Sequence, residues 1–118
     1  MLFRSYPLFD GMHRFGMNVY VPRHEQTAAY MAMGYAKSTG RLGVCCVVPG
    51  PGVLNTSAAL CTAMGNCSPV LCLTGEVPRE YRGRGRGHLH ELADQAGTLN
   101  TFIKNAFHIT DKIGRAHV

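Results

Sequence analysis

Glu25 is the residue best placed for chemistry in this chain of 118. It stands in Arg23-His24-Glu25-Gln26, at the seam between an incoming β-like run and a helix. The turn Pro49-Gly50-Pro51-Gly52 closes the next apolar run, with Asn55 three residues on. A carboxylate at one seam and a Gly/Pro turn at the next can hold a small heterocycle edge-on. A plainer role stays open for each. An acid in the first turn of a helix commonly complements the helix dipole and does nothing else. Residues 49–52 also read as a strand-to-helix turn, which is compatible with a ligand lying there.

Other groups have weaker claims. On a β-strand, His88 and His90 would share a face, and Glu91 follows them. A metal centre needs further ligands, and none is apparent, so no metal residues are assigned. His90 is either a residue facing the active site or half of a solvated loop pair, and His24 is expected to be structural. Arg82-Gly-Arg-Gly-Arg-Gly87 invites an RNA-binding reading. It is short, Tyr81 alone offers stacking, and much of the +5 net charge sits in this one cluster with Arg79. Contact with an anionic substrate or cofactor, or a mobile surface loop, suits it better than nucleic acid.

These groups depend on the elements that hold them. Leu8, Phe9, Met12 and Phe15 have helical spacing over residues 7–15. Residues 18–21 read as a short β-run ending at Pro22. Residues 26–38 are rich in helix formers, with Ala29, Ala32, Met33 and Ala36 on one side and Gly40 as the stop. Residues 43–48 form the continuous apolar run of a strand buried on both faces of a parallel sheet. A helix over 55–64, with small residues Ser57, Ala58, Ala59 and Ala63, leads to a second buried strand at 70–73. A punctuated loop runs to Gly87, followed by a short helix over about 91–99 and a β-like run over 102–109. The alternation predicts an α/β fold, a doubly wound parallel sheet with flanking helices. Ligands of such sheets bind at the carboxyl ends of the strands, where Glu25, the 49–52 turn and the loop after Thr74 all fall.

Composition narrows the class. An apolar share of 46% with 16% charged residues suits one globular domain and excludes a disordered chain. The five cysteines form no CxxC pair and lie mostly in apolar segments, which points to a reducing, cytoplasmic compartment. No run approaches the roughly 20 apolar residues of a membrane helix, and no signal pattern opens the chain, so no membrane partner is expected. The Met and Tyr residues at 30, 31, 33 and 35 read as core or subunit interface. A Rossmann-type dinucleotide site is disfavoured because no G-x-G-x-x-G opens a helix.

Four segments together carry a resemblance: Arg23-His24-Glu25-Gln26; Gly34-Tyr35-Ala36 before Thr39-Gly40; Gly50-Pro51-Gly52 with Asn55; and Thr74-Gly75 before Val77-Pro78. In that order and spacing they resemble the N-terminal, pyrimidine-binding domain of thiamine-diphosphate enzymes, in the branch of acetolactate synthase and benzoylformate decarboxylase. The resemblance implies that Glu25 is catalytic. It would hydrogen-bond N1′ of the aminopyrimidine and stabilise an imino tautomer that removes the thiazolium C2 proton. Pro51, Gly52 and Asn55 would pack against the pyrimidine. His90 stands where acetolactate synthases carry a glutamine facing the active site, and Pro49 where they usually have serine or threonine. Both departures mark a side branch.

The resemblance further implies thiamine diphosphate and Mg2+ as cofactors, the latter held by a C-terminal domain with a GDG…NN motif that this chain lacks. It implies a homodimer or homotetramer with the active site across the subunit interface, and a small 2-keto acid as substrate. The expected function is a fragment of a decarboxylase or carboligase, a lyase or transferase when complete and inactive alone. The alternative is a non-catalytic dimerisation or regulatory homologue. The domain is expected over residues 1–112, incomplete at the N-terminus, where a first strand and its turn should precede Tyr6. Ile113-Gly-Arg-Ala-His-Val118 resembles one reading frame of a common sequencing adapter, and residues 113–118 are expected to be a tail of that origin.

Overall fold

Seven elements follow one another along residues 6–109, the part of the chain that this computed structural model describes. The first helix, α1 (Tyr6–Arg14), buries none of its residues, and an Arg14–Asp10 ion pair of 2.9 Å spans one of its turns. The second, α2 (Glu25–Thr39), is the central helix. His24 caps its start, with Nδ1 accepting from the Gln26 N–H at 3.1 Å. Gly40 ends it at φ 69°, returning its N–H to the Ala36 carbonyl. Ala29, Ala32 and Ala36 form the buried face, and their small side chains let α2 lie close on the sheet.

That sheet is two described strands, β1 (Gly43–Val47) and β2 (Val70–Thr74), paired parallel with Cys45 opposite Cys72 and Val47 opposite Thr74. The crossover between them contains α3 (Pro51–Asn55) and α4 (Ser57–Gly65). Thr56, wholly buried, separates these helices and donates its hydroxyl to the Val53 carbonyl at 2.6 Å. The helix expected over 55–64 is therefore the second half of a broken pair. A short last helix, α5 (Gln95–Asn100), is capped by Asp94, which accepts from the Gly97 N–H at 2.8 Å. One core cluster joins Ala29, Ala32, Cys45 and Ala59, and another joins Val47, Val53 and Leu99. No described helix is long and apolar enough to cross a membrane.

Four expectations need correction. Residues 18–21 form no strand, and Val21 is 85% exposed. Strand propensity is realised only along a partner's ladder, and no described strand pairs with them. Residues 102–109 are also without a strand, because Phe102, Ile103 and Ala106 turn onto the Val47–Leu99 cluster. The final helix begins at Gln95 rather than near Glu91, whose carboxylate accepts from the Gly85 and His88 N–H groups instead. The strand at 43–47 is covered on one face only. Cys45 and Val47 are buried beneath the helices, while Val44 and its neighbour Leu71 stand about half exposed. The expected tail at 113–118 lies outside the described residues, as do positions 1–5 and 110–112 of the expected domain.

Candidate active site

Glu25 opens α2 and Asn55 ends α3, and the fold brings them together beside the carboxyl end of β1. Asn55 Nδ2 donates to Glu25 Oε2 at 3.1 Å. This bond holds the Glu25 carboxyl below its ordinary pKa, helped by the residue's own backbone N–H, against a smaller opposing effect of burial. A partly exposed, ionised carboxylate at a helix N-terminus is thus fixed in place by an amide from the adjoining turn.

Gly52 forms the floor. A Cβ here would collide with Val48 Cγ2 and come within 3.6 Å of Glu25 Oε1. Any side chain would intrude on the space beside the carboxylate, so the glycine keeps it clear. Gly50, two residues earlier, has φ 63° and ψ −119°, and a Cβ on it would lie 2.5 Å from the His90 carbonyl oxygen. The turn is therefore a double glycine device, with Pro51 pre-set at the first position of α3.

A buried glutamine joins this turn to the next one. Gln95, 6% exposed, accepts from the Gly50 N–H through Oε1 and donates through Nε2 to the Gly75 carbonyl, both at 2.9 Å. The turns following β1 and β2 are thus tied by one side chain. Gln95 went unassigned in the sequence because no local pattern marks a residue that bridges positions 45 and 20 residues away.

Of the remaining groups, His90 borders this centre through its backbone and the Arg/Gly loop lies apart from it. Among the described residues, no three of His, Cys, Asp and Glu are placed to hold a metal ion. His90 is at φ 66°, with its backbone against Gly50. The Arg/Gly loop turns at Gly83, Gly85 and Gly87, all at positive φ, and Tyr81 stacks on His88 at a centroid distance of 4.7 Å. A cavity of about 350 Å³ lies nearby, lined by Glu76, Arg82, Asp94, Gln95 and His108.

Residues 3–98 match the thiamine pyrophosphate enzyme N-terminal TPP binding domain. This chain belongs to the thiamine pyrophosphate enzyme family. It is similar to a probable acetolactate synthase large subunit of Methanococcus aeolicus, 35% identical over 103 residues, covering 87% of this chain and 17% of the relative. It is 44% identical over 81 residues to an acetolactate synthase of Arthrospira platensis, covering 65% of this chain and 14% of that protein. A probable 2-ketoarginine decarboxylase of Pseudomonas aeruginosa is 40% identical over 88 residues, covering 75% of this chain and 16% of that protein. The matched stretch is thus less than a fifth of each relative's length.

Membership of the thiamine pyrophosphate enzymes implies thiamine diphosphate, and the residues present fit its pyrimidine end. A flat ring with a weakly basic nitrogen needs a group at its edge that can share a proton with it, and a bare floor. Glu25 with Asn55, and Gly52 with Gly50, have that chemistry.

Proposed function

We propose that this chain is the pyrimidine-binding domain, spanning residues 1–112, of an enzyme that decarboxylates a 2-keto acid or joins the product to another carbonyl. The observation that carries the reading is the Glu25 carboxylate, held by Asn55 above the side-chain-free floor of Gly52. When bound, thiamine diphosphate supplies the carbon-centred chemistry through its thiazolium ring. Glu25 would take the N1′ edge of the pyrimidine and, once its carboxyl has picked up a proton from solvent, share that proton with the ring nitrogen. Asn55 keeps Oε2 occupied, which would leave Oε1, on the Gly52 side, to meet the ring. Gly52 and Pro51 would pack against the pyrimidine, and His90 would face the substrate from the segment lying against Gly50.

In the complete protein, Mg2+ and the diphosphate are held by another domain, the strands of this chain belong to a doubly wound parallel sheet, and the active site lies across the interface of a homodimer or homotetramer. A small 2-keto acid is the substrate, and the compartment is cytoplasmic. Similarity, over less than a fifth of their length, to proteins named acetolactate synthase and probable 2-ketoarginine decarboxylase supports this class of reaction.

The deciding experiment is Glu25→Gln in the full-length, cofactor-loaded protein, read by hydrogen–deuterium exchange at the thiazolium C2. Loss of the proton-sharing carboxylate lowers the exchange rate by about 10²–10⁴-fold, with the circular dichroism spectrum unchanged. Exchange at the wild-type rate would sink the catalytic reading and leave a non-catalytic dimerisation homologue in its place.

A further inference from the structure

We infer that Gln95 is a positioning residue for the pyrimidine seat, and that it ties the substrate-side segment 90–95 to the cofactor-side turn at Gly50. The inference rests on the function proposed above and adds a residue to it. Gln95 is the only glutamine of the described residues that is buried, and both ends of its amide are used. Oε1 takes the Gly50 N–H and Nε2 gives to the Gly75 carbonyl. A buried amide costs stability unless both ends are satisfied, and an aliphatic residue would fill the same volume without that demand. The two bonds instead fix where the chain leaves β1 relative to where it leaves β2.

The consequence falls on Glu25. Gly50 is the residue before α3, and two steps further on Gly52 lies beside Glu25 Oε1, while Asn55 at the end of α3 holds Oε2. The turn at Gly50 therefore sets the position of both groups that shape the carboxylate. A second contact acts at the same point, because the backbone of His90 lies against the Gly50 Cα and allows no side chain there. With the clamp cut, Gly50 keeps its close packing but loses the hydrogen bond that orients its peptide. Gly52 and Asn55 then shift relative to Glu25.

Two variants separate positioning from bulk stability. Gln95→Met removes both hydrogen bonds at similar volume. Gln95→Glu keeps them only while protonated, since a carboxylic acid accepts and donates like the amide, whereas the carboxylate cannot donate to Gly75. In the cofactor-free full-length protein, amide hydrogen exchange at Gly50 is slow in the wild type and about tenfold faster in Gln95→Met. In the loaded protein, C2 exchange per bound cofactor falls about a hundredfold, the size expected of a misplaced group. At neutral pH Gln95→Glu loses the bond to Gly75 but still accepts from Gly50, so C2 exchange falls while Gly50 protection holds, and C2 exchange recovers toward the wild-type rate at matched pH as its buried carboxyl takes up a proton.

A rapidly exchanging Gly50 amide in the wild type overturns the clamp outright, whatever the variants do. Wild-type C2 exchange in Gln95→Met, or no acid recovery in Gln95→Glu, overturns the positioning role. Glu25→Gln run alongside keeps the two claims distinct. If that variant retains C2 exchange, the proposed function has failed, while Gly50 protection still reports on Gln95.

Discussion

Asn55 and Glu25, thirty residues apart in sequence, meet through a 3.1 Å hydrogen bond that joins the end of α3 to the start of α2. The bond favours the ionised carboxylate, so it acts on acidity and on geometry together. Asn55→Ala should raise the Glu25 pKa toward the ordinary carboxylate value, as followed by the Glu25 side-chain carboxyl carbon resonance during an acid titration. The sign follows from linkage. A depressed carboxyl pKa contributes stability above its unfolded-state value and loses it as pH falls through the folded value. The stability difference between wild type and Asn55→Ala should therefore shrink in acid. It should be small throughout and sensitive to salt, because Glu25 is partly exposed to solvent. An unchanged Glu25 titration would show that the Asn55 contact does not govern its charge.

Gly52→Ala tests the floor. The new methyl overlaps Val48 Cγ2, on a half-buried residue just past the end of β1. A cost of about 1–3 kcal/mol is expected from overpacking of this kind, measured by chemical denaturation. Val48→Ala in the same protein should recover part of it by vacating the overlapped position. Thermodynamic additivity of the two substitutions would mean that the methyl strains something other than Val48.

Much of the frame was legible in the sequence where the signals are local. Helix-forming residues ahead of Gly40 mark α2 to within one residue at each end, and the β-branched run before Pro49 marks β1. Strands at 18–21 and 102–109 were misread because propensity cannot supply a partner. Phe102 and Ile103 found their burial against Leu99 and not in a ladder. The start of α5 was readable from Asp94 three residues before Gly97, but the acid at Glu91 competed with it. Glu25, Gly52 and Asn55 could be proposed as neighbours only through a family pattern, since spacing alone does not reveal a side-chain contact across thirty positions. Gln95 carries no such pattern, and only the fold brings Gly50 and Gly75 to its two ends.

Asp94→Ala should loosen α5 by removing the acceptor for the Gly97 N–H. Loss of an N-cap costs about 1 kcal/mol. Because Gln95 is the first residue of that helix, the effect should reach the neighbouring turn. Faster amide exchange is expected at Gly97 first and at Gly50 second, with the β1–β2 ladder unaffected. Protection at Gly50 that survives while Gly97 opens would mean that the Gln95 bonds hold without the cap.

The cysteines offer a chemical check on the sheet. Cys45 and Cys72 are register partners on adjacent strands, and Cys46 adjoins them, whereas Cys61 and Cys67 are exposed. The Cys72 thiol is pushed well above its usual range by its hydrogen bond with Cys45 and by burial, and burial raises Cys46 as well. Thiolate is the reactive form, so these two should be poor nucleophiles at mildly alkaline pH. Iodoacetamide with peptide mapping should modify Cys61 and Cys67 more than about tenfold faster than Cys46 and Cys72. Denaturant should equalise the rates, because the protection comes from the folded sheet and not from neighbouring sequence. Labelling of Cys72 as fast as Cys67 in the native protein would mean that β2 opens readily, and that the carboxyl-end turns it carries are not held as firmly as the Gln95 clamp requires.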